Sequence, residues 1–201
     1  MLLSLQGSMA VGKTTALRYL EKVAPYLTIS YEDNQDVIAE IHRQKWDKNN
    51  FEDYIKIQRL WIAHEIARWK RYQQASHCVM DFGAEEILFY TLHYPQTIGK
   101  EWPVADALEE ELQALEACMP QRILFLEASE ETLHRHKEAD RSRSRNFFDH
   151  YVTHFLPLKR QLFSQRNNVD ILVVDDLSPE EVAQRVKDWC DEWFAQENTI
   201  S

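Results

Sequence analysis

Glycine is scarce in this chain, with four among 201 residues. A backbone so short of glycine carries no flexible glycine-rich tether and no low-complexity tract. Cysteine is scarce too. Cys78, Cys118 and Cys190 are odd in number and far apart, which excludes a disulfide framework and a cysteine-based zinc site and leaves reduced core thiols as the expectation. No run of about 20 apolar residues exists, so no segment reads as a transmembrane helix. Positive charge is in deficit, with 23 Lys and Arg against 33 Asp and Glu and a net charge of −10. Such a surface repels nucleic acid and anionic membranes. The opening MLLSLQGSMA lacks a basic region before its short apolar run. It reads as a poor signal peptide, and the expected location is cytoplasmic.

What is present suits one compact domain over residues 1–201, with enough apolar sequence for a substantial core. Five short β-branched or aliphatic runs stand out: residues 1–6, 26–31, 77–80, 122–126 and 169–174. Helical periodicity fills the intervals, over 13–23, 33–45, 51–74, 85–93, 104–118, 129–138, 147–165 and from Pro179 onward. Residues 95–103 read as a loop. Strands alternating with helices predict a parallel sheet covered on both faces.

Two of the four glycines fall in GSMAVGKT, residues Gly7, Ser8, Met9, Ala10, Val11, Gly12, Lys13 and Thr14, which continues into Thr15. The pattern is G-x-x-x-x-G-K-[ST]. The glycines let the backbone curl so that successive N–H groups face an anion, and the helix that follows adds its positive end. Lys13 supplies a cation to the outer phosphates of a nucleotide, and Thr14 a hydroxyl to Mg²⁺. The order strand, loop, helix is the context the motif requires.

Phosphoryl transfer needs a metal partner and a group that places the acceptor. Asp81 closes the third strand-like run in HCVMD and reads as a carboxylate near Mg²⁺. Glu32 and Asp33 follow the second, at a strand carboxyl end where ligands collect in parallel sheets. Asp33 reads as a helix N-cap and Glu32 as the acid that accepts a proton from an attacking hydroxyl. Basic charge concentrates in LHRHKEADRSRSRN, which holds Arg135, Arg141, Arg143 and Arg145. Arginine forks bind phosphate oxygens and offset transition-state charge, so residues 135–146 read as a lid. His134 and His136 flank it, whereas His64 and His77 lie on apolar segments and read as packed side chains.

The succession GSMAVGKT, YLTISYED, FEDYIKIQRLWIAHEIARW, VMDFG and LHRHKEADRSRSRN resembles the P-loop kinases of nucleosides and nucleotides, the deoxynucleoside and thymidylate kinases in particular. The resemblance spans most of the chain. It implies a three-layer P-loop NTPase fold of class α/β, with a five-stranded parallel sheet in the order 2-3-1-4-5 and an arginine-rich lid. It implies ATP and Mg²⁺ as cofactors, a small-molecule acceptor and pairing into a homodimer. By position, Lys13, Glu32, Arg141 and Arg143 would be catalytic. Gly7 to Thr15 and Arg135 would bind the nucleotide, with Asp175 or Asp176 near its base. Glu32, Gln58 and Phe82 would face the acceptor, Gln58 reading a base edge, with Trp46 a further candidate. Thr14 and Asp81 would serve the metal. One departure is visible: these kinases usually carry arginine directly after the acid of the third strand, and here that residue is Phe82. A hydroxyl acceptor is therefore expected before a monophosphate.

The competing expectation is a nucleotide-dependent switch or regulatory ATPase that acts through a protein partner. The arginine run favours a kinase, because excluding water serves transfer and not hydrolysis. No N-K-x-D stretch occurs, which argues against a GTPase.

Overall fold

The structure, a computed structural model, describes residues 1–139 and 147–200. The chain opens with β1 (Leu2–Gly7), α1 (Lys13–Val23), β2 (Thr28–Ser30), α2 (Gln35–Gln44) and α3 (Phe51–Tyr72). Then come β3 (Cys78–Asp81), α4 (Ala84–Thr97), α5 (Val104–Ala107), α6 (Glu109–Glu116) and β4 (Arg122–Glu127). The remainder is α7 (Glu130–Ala139), α8 (Phe148–His150), a π-helical turn (Tyr151–Phe155), α9 (Leu156–Ser164), β5 (Val169–Val173) and α10 (Pro179–Ile200). All five strands are parallel, in the order β2-β3-β1-β4-β5. This is the strand order expected from the sequence.

Two compact units divide the chain. The first comprises residues 1–31, 75–81 and 121–201. Its central strand β1 is buried along its whole length, because neighbours on both sides and helices around the sheet leave it no solvent face. Leu3, Leu5, Val79, Ile123 and Leu126 are fully enclosed. Helix α1 buries Ala16, Leu17 and Leu20 against the sheet and α10, which contributes Val186, Cys190 and Phe194. Each such aliphatic side chain stabilises the fold by about 1.5–3 kcal/mol. On β5, Asp170 accepts hydrogen bonds from Trp189 (2.8 Å), Trp193 (3.2 Å) and Arg122 (3.1 Å). Ile171 and Val173, the alternate residues of that edge strand, are 53% and 58% exposed. All three cysteines are free and buried.

The second unit comprises residues 32–74 and 82–120. Asn50 caps α3 by accepting from the Asp53 N–H. Tyr54 stacks with Tyr94 at 5.6 Å and meets Trp102 at 5.3 Å. Deeper along α3, Glu65 and Arg68 form a buried bidentate ion pair at 2.9 and 3.0 Å. Burial pushes the Glu65 carboxyl up to about 7, with Arg68 opposing that shift.

The structure differs from the sequence reading at several joints, each for a local reason. Helix α2 starts at Gln35 with Asn34 at the N-cap position, so Asp33 stands one residue too early to cap it. Helix α4 runs through Pro95 to Thr97 and ends before Gly99, whose φ is +69°. Pro95 offers no N–H to the Thr91 carbonyl, and the Tyr54 hydroxyl fills that role at 2.9 Å. The periodic stretch 104–118 is two helices, because the buried Leu108 leaves helical geometry at ψ 24°. The stretch 147–165 is interrupted by the π turn, which widens the backbone just ahead of Pro157. No helix among the described residues is long and apolar enough to cross a membrane.

Two outcomes follow from this packing. At Gly7, φ is +134° and an added Cβ would stand 2.4 Å from the Leu126 carbonyl oxygen; at Gly12, φ is +104° but the space is open. Gly7→Ala should therefore cost more than about 2 kcal/mol and Gly12→Ala only about 1 kcal/mol; urea denaturation with equal losses would contradict the clash. Glu65 gives a pH signature. A carboxyl raised from its ordinary 4.5 to about 7 favours the folded state when protonated. The stability difference between wild type and Glu65→Gln should therefore fall as pH rises from 4.5 to 7 and level off above. A flat difference would show that Arg68 keeps the carboxylate ionised throughout.

Candidate functional site

The loop between β1 and α1 is built from three left-handed residues, Gly7 (φ +134°), Ala10 (φ +64°) and Gly12 (φ +104°). They let five residues reverse the chain from a central strand into a helix. Helix α1 then starts with Gly12 at its N-cap, with no capping side chain and no acid in its first turn. An N-terminus left in this way keeps its positive potential and its N–H donors for an external anion.

The side chains of the loop agree with that reading. Lys13 is buried apart from 7% of its surface and donates to the Ser8 carbonyl at 2.8 Å. The Ser8 hydroxyl is buried with no hydrogen-bond partner among the described residues, a costly state that a phosphate oxygen would relieve. Thr14 donates to the Asp81 carboxylate at 2.9 Å. Asp81 reaches this position because Leu5 of β1 pairs with it in parallel register. A hydroxyl and a carboxylate at this separation, beside an anion cradle, form a donor set suited to Mg²⁺. The residues present thus fit a magnesium nucleoside triphosphate. Elsewhere, no group of three or more His, Cys, Asp or Glu side chains among the described residues suits a metal.

Around the loop, Ser129 caps α7 by accepting from the Thr132 N–H at 3.2 Å. Its own N–H and hydroxyl both donate to Asp175, at 2.9 and 2.6 Å. These bonds hold the Asp175 carboxyl below the usual carboxylate range, helped by Arg135. Arg135 is exposed on α7 and reaches Thr132 at 3.3 Å. Asp176 is exposed. Arg141, Arg143 and Arg145, with most of the expected lid, lie outside the described residues. The first unit therefore brings together the loop from Gly7 to Thr14 and Asp81, and α7 meets the loop through His136. Thr15 is exposed, Met9 half-buried and Val11 buried.

Glu32, Gln58 and Phe82 belong to the second unit. Glu32 is exposed, and its charge is felt by Glu65. Gln58 is buried, not on the surface, and its side-chain carbonyl accepts from Thr91 at 2.8 Å. Phe82 takes a left-handed backbone, φ +56°, an arrangement costing about 1–2 kcal/mol for a residue with a Cβ. Arg68 donates to its carbonyl at 2.7 Å, and the Glu85 carboxylate accepts from the next N–H, that of Gly83, at 3.0 Å. Trp46 is half-buried.

Three participants escape a reading of the sequence. Arg68 places a guanidinium on the backbone of Phe82, the position where an arginine side chain was expected. Its signal is a Glu–Arg pair three residues apart on the buried face of a long helix. His136 Nδ1 donates to the Ala10 carbonyl at 3.0 Å. Lys159 takes an apolar-stripe position between Leu156 and Phe163, a place where lysine needs a reason.

No family model matches the sequence, and no curated protein matches it either. Solved structures do. A deoxyadenosine kinase from M. mycoides, with dCMP and a flexible dCDP bound, superposes with a TM-score of 0.73 at 14% identity, covering 96% of this chain and all of that one. The same enzyme with dATP bound gives 0.70 at 14% identity, covering 95% of this chain and 100% of that chain. A thymidylate kinase from Candida albicans gives 0.61 at 14% identity over 95% of this chain and 91% of that one. At such identity the likeness is one of fold, shared over 95–96% of this chain.

Proposed function

We propose that the protein is an ATP-dependent phosphotransferase that moves the γ-phosphate of Mg-ATP to a hydroxyl of a small, nucleoside-like acceptor, with the whole chain serving as one kinase-like domain. The observation that carries this reading is the uncapped start of α1, reached through a left-handed loop and flanked by Lys13, Thr14 and Asp81. The kinase architecture shared with solved deoxyadenosine and thymidylate kinases supports it.

Each group has a task in this scheme. The backbone N–H groups of residues 8–13 and the end of α1 bind the phosphate chain. Lys13 exchanges the Ser8 carbonyl for outer phosphate oxygens. Thr14 and Asp81 would hold Mg²⁺, which when bound neutralises charge on the phosphates. Glu32 accepts the proton from the acceptor hydroxyl. Gln58 presents its amide to the acceptor's base, and Phe82 packs on the acceptor side. Arg135, with Arg141 and Arg143, offsets the charge spread over the transferred group. A phenylalanine at position 82 leaves no arginine side chain there for an acceptor phosphate, which favours a hydroxyl acceptor.

Lys13→Met tests the scheme. It should leave melting of the ligand-free protein nearly unchanged, weaken Mg-ATP binding at least about tenfold by calorimetry, and slow transfer by about 10²–10³-fold. In wild type, at least one member of a nucleoside and metabolite panel should raise ADP release well above the rate without acceptor. ADP release that no compound accelerates would refute transfer and favour the switch.

A further inference from the structure

Lys159 is the least expected side chain in the first unit, because it is fully buried. Taking a lysine out of water is expensive unless polar partners replace the solvent. Its partners include the Tyr151 hydroxyl at 3.1 Å and the Gly7 carbonyl at 3.4 Å. The rings of Tyr151 and Phe163 lie 5.6 and 6.0 Å from the ammonium nitrogen. The π turn bears on this placement. Tyr151 and Lys159 are eight residues apart, and the wide turn from Tyr151 to Phe155 intervenes between them. Such turns recur at functional sites. An apolar residue would fill the same stripe position without the desolvation cost, so the ammonium has a specific recipient.

One of its acceptors, beside the nearer Tyr151 hydroxyl, is the first residue of the phosphate loop, and the loop is held at a second place in the same manner. His136, on α7, donates from Nδ1 to the carbonyl of Ala10 at 3.0 Å. A carbonyl oxygen only accepts, so the imidazole carries its proton on Nδ1 here. In a trans peptide the C=O of one residue and the N–H of the next point in opposite directions, and no cis peptide occurs among the described residues. Holding the Gly7 carbonyl therefore directs the Ser8 N–H the other way, and holding the Ala10 carbonyl does the same for the Val11 N–H.

We infer that Lys159 and His136 are positioning residues of the phosphate loop, which grip the carbonyls of Gly7 and Ala10 and thereby hold the N–H groups of Ser8 and Val11 toward the bound phosphates. The two residues lie in different helices, α9 and α7, so the loop is fixed from two directions. The strain of a left-handed Ala10 is offset in part by the His136 bond. Lys13 holds the intervening Ser8 carbonyl but must leave it to reach a phosphate, whereas Lys159 and His136 stay in place. The consequence for nucleotide affinity rests on the function proposed above; the grip itself is a property of the ligand-free protein.

The test separates the two. Lys159→Met keeps the side-chain volume and removes the donor. Loss of the buried ammonium relieves its desolvation cost but leaves the Gly7 carbonyl and the Tyr151 hydroxyl short of a donor, two effects of opposite sign, so the variant should melt within several degrees of wild type. Amide hydrogen exchange in a peptide covering residues 7–12 of the ligand-free protein should be about tenfold faster than in wild type. Mg-ATP binding should weaken about tenfold, and Lys159→Arg should recover part of both. A role confined to core packing would move the melting temperature and leave loop exchange as it was. His136→Phe, at a part-exposed position, removes the other grip, should speed exchange at residues 9–12, and decides the matter if Lys159→Met does not fold. Unchanged loop exchange in folded Lys159→Met, or in His136→Phe where Lys159→Met fails to fold, overturns the inference. Wild type that binds no Mg-ATP would instead refute the proposed function and leave the exchange result to stand or fall alone.

Discussion

The structure depends on one constraint: the chain must leave the central strand and enter a helix within five residues without capping that helix. Gly7 meets it by a left-handed turn pressed so close to Leu126 that no Cβ fits. Gly12 meets it by leaving open space where a side chain would stand. A helix with glycine at its N-cap is less stable, by roughly a few tenths of a kcal/mol, than one capped by a Ser, Thr, Asn or Asp side chain. That deficit, together with a buried serine hydroxyl that has no partner among the described residues, is what a bound anion would offset in the function proposed above. The rest of the first unit serves this arrangement. The sheet buries β1 on both sides, the β1–β3 register sets Asp81 beside Thr14, and α1 is anchored by α10.

Much of this was legible in the residues because it rests on local chemistry. GSMAVGKT announces its own conformation, since glycine and the strand–helix context are what the turn requires. The strand order followed from the resemblance of the successive motifs to the nucleoside and nucleotide kinases. Helix α1 was legible to its end residues, because its apolar periodicity runs unbroken from Lys13 to Val23. Elsewhere local pattern lost to tertiary demand. Pro95 reads as a breaker, yet α4 passes through it because Tyr54, far away in sequence, satisfies the carbonyl that proline strands. Leu108 fits a helical repeat, yet its backbone leaves helical geometry and divides the stretch into two helices.

The residues that escaped share a trait. Arg68, with its partner Glu65, and Lys159 are charged side chains inside the protein, and sequence patterns place charge outside; His136, half-buried, was visible only as a neighbour of the arginine run. Only the fold shows that Arg68 holds the backbone of Phe82, or that Lys159 reaches Gly7. The two cases follow one logic. In each, a long basic side chain grips the carbonyl of a residue with positive φ, so a strained backbone beside Asp81 or within the phosphate loop keeps its shape. Gln58 belongs here as well: on a helix surface it would be unremarkable, but buried against Thr91 it is part of a fixed polar pair.

In the proposed function the phosphate cradle hands a γ-phosphate to an acceptor and does not merely hold or hydrolyse a nucleotide. The most direct measurement follows the label: incubate the protein with Mg²⁺, γ-labelled ATP and a nucleoside panel, and determine which molecule carries the label. Label should appear on a hydroxyl of an acceptor, formed faster than free phosphate. Label recovered only as free phosphate, with every acceptor unmodified, would contradict it.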